Sequence, residues 1–118
     1  MLELTFYRDE RDRLCGLRAR GHADFADHGK DIVCAAVSAI LQAAHLGLRE
    51  YARAVVTSRQ EPGELELRLR EDQRDLESVR AILATAELAV EQIAVRFPKH
   101  VGLTKETVEA REAVERTG

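Results

Sequence analysis

Two side chains in this sequence carry the means for covalent chemistry close together: His22, and twelve positions later Cys34. A thiolate is a strong nucleophile, and a neighbouring imidazole is the usual group that takes its proton and later protonates a leaving amine. His28 lies between them and offers the same chemistry, so the spacing alone does not choose the base. Asp31 and Ser38 flank the thiol, three residues before it and four after.

The elements that must position these groups are a loop and a long helix. Residues 21–30 are polar and include Gly21 and Gly29, whereas no Asp, Glu, Lys or Arg occurs from Ile32 to Leu48, although 33% of the chain is charged. A run of that length, rich in Ala and Leu, predicts a helix buried on most sides. At about 100° per residue, Asp31, Cys34, Ser38, Gln42 and His45 fall on one polar stripe along it. Asp31 stands where an N-cap belongs, with Cys34 in the first turn. Unpaired N–H groups and the macrodipole at a helix start favour negative charge, and the same N–H groups are potential donors to an oxyanion.

The run Gly21-His22-Ala23, a loop ending at Gly29, then Asp31-Ile32-Val33-Cys34-Ala35-Ala36-Val37-Ser38-Ala39 resembles the signature of the ribosomal-processing cysteine protease family. Residues 93–101, IAVRFPKHV, resemble that family's closing segment, and the likeness covers roughly residues 1–104. The resemblance implies a dimeric α+β protease that removes an N-terminal extension from a large-subunit ribosomal protein, the twenty-seventh of its series, with a preference for aromatic residues near the cut. It implies a His22–Cys34 dyad, with Asp31 and Ser38 associated with the site. Asp31 then either caps the helix or orients His22. Ser38 either hydrogen-bonds the bound peptide or bonds back to its own helix.

Other readings remain. His22, His28, Asp24, Asp27, Asp31 and Cys34 are potential zinc ligands, but their spacing matches no common structural zinc pattern. The scaffold could also serve as a non-catalytic, ribosome-associated dimeric binding protein. A thiol protease needs no cofactor, and none is expected.

At 118 residues the chain is expected to form one domain, residues 1–104, followed by a charged tail, 105–118, helical or disordered. A net charge of −3, with two Tyr, three Phe and no Trp, argues against a nucleic-acid face. The opening residues alternate like a strand rather than reading as a leader, and the polar stripe argues against a membrane span, so a cytoplasmic protein is expected. In such a compartment Cys15 and Cys34 stay reduced.

Along the chain, Leu2, Leu4 and Phe6 alternate with polar residues, and Cys15, Leu17 and Ala19 share one face of a second strand, placing Cys15 in the core. Ala54–Ser58 and Glu64–Arg70 read as a second hairpin turning at Pro62-Gly63. Leu76, Val79, Leu83, Ala86, Val90 and Ile93 recur at helical spacing over about 73–96, ended by Pro98, and Val101 and Leu103 suggest a last short strand. The prediction is an α+β two-layer sandwich of order ββαββαβ, a mostly antiparallel sheet with both helices on one face. His45 and His100 are expected to be structural. The loop carrying His22 is expected to be mobile until substrate binds.

Overall fold

The computed structural model describes residues 1–27 and 31–108. Its order is β1 (Leu2–Arg8), β2 (Leu14–Arg20), α1 (Ile32–Leu46), β3 (Val56–Glu61), β4 (Glu64–Leu69), α2 (Glu77–Arg96) and β5 (Val101–Thr107). The expected ββαββαβ sandwich is borne out. The sheet runs β3-β4-β2-β1-β5 and is antiparallel except for β5, which lies parallel to β1.

Alternation places the core. Leu4 and Phe6 stand opposite Ala19 and Leu17, which stand opposite Leu65 and Leu67 on the next strand. All six are buried, together with Val33, Val37 and Leu41 of α1 and Val79, Leu83 and Val90 of α2. Full burial of such a side chain is worth roughly 1.5–3 kcal/mol, so this one layer dominates stability.

Three expectations need correction. The register of β1 and β2 slips between Tyr7 and Arg8, which pair with Gly16 and Leu14, so Cys15 is the extra residue of a bulge. Cys15 is still buried, but it packs with Tyr7 and Val108 in a separate small cluster, away from Leu17 and Ala19. Secondly, α1 is not buried on most sides: Val33, Val37, Leu41 and Ala44 form its single buried stripe, while Ile32, Ala35, Ala36, Ala39, Ala43 and Leu46 are exposed. The run is uncharged because two faces of it avoid charge, only one of which meets the sheet. Thirdly, β5 runs on to Thr107, so Lys105, Glu106 and Thr107 belong to the sheet rather than to a tail; positions 109–118 lie outside the described residues.

Shifts at element ends have local causes. β3 starts two residues later than expected, and α2 four residues later, because residues 71–73 first make a 3-10 turn. That turn lets Arg74 point inward to Asp9, a buried pair with Nη1 to Oδ2 at 3.0 Å. Arg8 forks onto Glu87 with two bonds of 2.8 Å, tying β1 to α2.

Candidate active site

Asp31 initiates α1. With extended backbone angles (φ −81°, ψ 98°), its Oδ1 accepts the N–H of Cys34 at 2.9 Å. Its Oδ2 accepts the N–H of Phe25 at 3.0 Å. The Cys34 amide is the main cause holding the Asp31 carboxyl below its ordinary range; modest desolvation opposes it and the Phe25 amide reinforces it. Asp31 is therefore the helix cap and also the tie between helix and preceding loop, since both its oxygens go to main-chain groups.

The Cys34 amide already serves Asp31, so an oxyanion formed at the thiol has to draw on another donor or displace that carboxylate.

Cys34, half-buried in the first turn, opens into a cleft of about 600 Å³. Asp31, Ser38 and Gln42 line the cleft with it, so the polar stripe faces this space, although His45 is not among the lining residues. His45 is half-buried; burial and then the nearby Arg49 hold its pKa down. Leu2, Ala19, Val37, Leu41 and Leu65 supply an apolar floor. Ser38 is exposed within the cleft and, among the described residues, shows no bond back to its own helix, unlike Thr85, whose hydroxyl donates to the Ala81 carbonyl at 2.7 Å.

His22 lines the same cleft from the loop after β2. Its neighbours are fixed. The N–H of Gly21 donates to the Gly63 carbonyl at 2.9 Å, with φ +89° and its Hα atoms facing the Met1 carbonyl, where a Cβ would approach to 2.5 Å. Ala23 is fully buried and its carbonyl accepts from His100 Nδ1 at 2.9 Å. Phe25 meets Phe97 and His100 edge to face, each with centroids 5.4 Å apart. Residues 21–25 are thus tied at several points, which counts against the expected mobility for this part of the loop. His28, Gly29 and Lys30 lie outside the described residues.

The opposite wall was not anticipated. Gln60, Glu61, Pro62, Gly63 and Glu64, the turn between β3 and β4, close the cleft. Sequence reading found this turn from Pro62-Gly63 but had no signal that it would stand over His22. Among the described residues the lining carries carboxylates (Asp24, Asp31, Glu61, Glu64) and no Lys or Arg, though Glu64 is paired with Arg18 at 2.9 Å. Among the described residues no group of three His, Cys, Asp or Glu side chains could hold a metal ion.

A two-layer α+β sandwich with a Cys at the mouth of a helix and a His from the adjoining loop, both lining one cleft, has the architecture of a cysteine peptidase. The family model described as cysteine protease Prp matches residues 1–102, and the chain belongs to that family. It is 39% identical over 41 residues to the ribosomal processing cysteine protease Prp of Bacillus subtilis, a match that spans 35% of this chain and only 37% of that relative's length. The structure of the essential ribosomal processing protease Prp from S. aureus, in complex with a covalently linked product peptide, is similar with a TM-score of 0.83 and 20% identity, covering 89% of this chain and 99% of that one. SMU.848 from Streptococcus mutans is similar with a TM-score of 0.79 and 26% identity, covering 92% and 96%.

Proposed function

We propose that this protein is a cysteine endopeptidase in which Cys34 is the nucleophile and His22 the general base and acid. The observation that carries the reading is that both side chains line one cleft, in a chain belonging to the cysteine protease Prp family. His22 takes the proton from the Cys34 thiol as sulfur adds to the scissile carbonyl. The tetrahedral intermediate collapses to a thioester as His22 returns the proton to the departing amine, and water, deprotonated by His22, then releases the acid and the thiol. Asp31 sets the start of α1 and hence the place of the sulfur. Ser38, one turn along the cleft, offers its hydroxyl to the bound peptide.

The substrate we assign is the N-terminal extension of a large-subunit ribosomal protein, the twenty-seventh of its series, an assignment supported by family membership. The apolar floor suits a large uncharged side chain beside the cut. Action in the cytoplasm accords with two unpaired thiols.

Incubating the purified protein with a peptide spanning the junction tests this directly. Cys34→Ala and His22→Ala are each expected to cut cleavage by about a thousandfold or more. Cleavage by Cys34→Ala at the wild-type rate overturns the assignment and leaves a binding protein.

We also propose a homodimer. The exposed face of α1, from Ile32 through Ala36, Ala39 and Ala43 to Leu46, is uncharged along its whole length, the character of a surface covered by a partner.

A further inference from the structure

We infer that His100 is a positioning residue for His22, a role that rests on the dyad proposed above. The two belong to distant parts of the chain, and His100 is not itself among the residues lining the cleft. It acts through the residue that follows His22. Ala23 is fully buried, so its carbonyl needs a donor from within the protein. That donor is His100 Nδ1 at 2.9 Å, across 77 positions of sequence. A carbonyl oxygen only accepts, so the His100 ring carries a hydrogen on Nδ1 in this arrangement.

The post to which Ala23 is tied is itself fixed. The His100 N–H donates to the Phe97 carbonyl and its own carbonyl accepts the N–H of Leu2, each at 2.9 Å. His100 is thereby set in the turn between α2 and β5 and joined to the first residue of β1. Its ring, with that of Phe97, also receives the edge-to-face contact of Phe25.

His22 therefore sits between two main-chain anchors. Before it, the Gly21 N–H holds the Gly63 carbonyl; after it, the Ala23 carbonyl is held by His100. With the backbone pinned on both sides, the imidazole moves by its own side-chain torsions and little else. Placement of a catalytic base to within a fraction of an ångström is worth much of its rate. Releasing the second anchor frees His22 and removes no bond made by Cys34 or Asp31 themselves.

Three variants and two readouts decide this. His100→Phe keeps the ring against Phe25 and removes the donor; we expect kcat to fall about tenfold to a hundredfold with KM within about twofold, and amide hydrogen exchange of residues 21–25 to accelerate. His100→Asn can place a side-chain N–H where Nδ1 stands, and should bring kcat back to within about threefold of wild type and restore slow exchange. If His100→Phe does not fold, His100→Leu, also without a donor, takes its place. Unchanged kcat and exchange in the donor-free variant overturn the role, as does an Asn variant as impaired as the Phe one. Exchange is measured without substrate, so it decides the anchoring even if wild type cleaves nothing, an outcome that would sink the proposed function instead.

Discussion

Gly63 lies directly against the ring of His22: a Cβ at Gly63 would stand 3.3 Å from Nε2 and 3.6 Å from Cε1. Gly63 also has φ +74°, in the region that L residues resist. The turn between β3 and β4 therefore needs glycine for two separable reasons, backbone conformation and room for the imidazole. Gly63→Ala is expected to cost about 1–2 kcal/mol from the backbone alone and to lower kcat several-fold by crowding His22. Gly63→Asn tolerates the backbone better but carries the same Cβ, so thermal melts should recover while kcat stays low. Recovery of both together would mean that crowding of His22 is unimportant.

Removing the Asp31 carboxylate should loosen two segments at once. Asp31→Ala leaves the amides of Cys34 and Phe25 without their acceptor, so a lower Tm and faster exchange at both amides are expected. Asp31→Asn keeps one acceptor oxygen and should protect only one of the two. Exchange measured at the individual amides distinguishes this from a general loss of stability.

Acid should unfold this protein partly through Asp9. Burial alone would raise its pKa, but the Arg13 amide, the Arg74 guanidinium and the Arg11 amide together hold it below the ordinary carboxylate value. A depressed native pKa contributes stability that is complete above the unfolded value and disappears as pH falls through the native one. Urea unfolding should therefore show a constant contribution at neutral pH and a decline below about pH 4. Asp9→Asn should flatten that decline and, by leaving the buried Arg74 with only the exposed Glu71 as its carboxylate partner, cost about 1–3 kcal/mol at pH 7. Equal pH slopes in both proteins would remove Asp9 from the account.

The two thiols should react differently with iodoacetamide. Cys34 opens to the cleft, whereas Cys15 is 2% exposed and burial raises its pKa. Mass spectrometry of the native protein is expected to find Cys34 alkylated and Cys15 untouched, with Cys15 reacting only after denaturation. Early modification of Cys15 would mean that the Tyr7–Val108 cluster opens readily.

The α1 face provides the last test. Ala39→Glu places a charge in the middle of the exposed uncharged stripe, so light scattering should show the wild type at twice the chain mass and the variant at the chain mass. A wild type that is monomeric at micromolar concentration would leave this face with no copy of the chain to cover it.

Much of the fold was legible because it follows alternation. Leu2, Leu4 and Phe6, and Leu65, Leu67 and Leu69, announce their strands, and the three-and-four spacing of Val79, Leu83, Ala86 and Val90 announces α2. The polar stripe of α1 pointed correctly to the cleft at Asp31, Cys34, Ser38 and Gln42. What stayed hidden depends on where other segments end up. The face taken by Cys15 turns on a bulge at Tyr7 that no residue type signals. The exposed half of α1 looks like core because Ala and Leu read alike on either side of a helix. The Pro62-Gly63 turn as a wall, and His100 beside Ala23, are contacts between segments far apart in sequence.

The parallel pairing of β5 with β1 has a bearing on how the molecule comes into being. Leu2 to Arg8 are made long before Val101 to Thr107, the segment that completes the flank of their strand. Until then the earliest strand waits with a bare margin, open to pairing with foreign chains. That margin is covered only once β5 has been made.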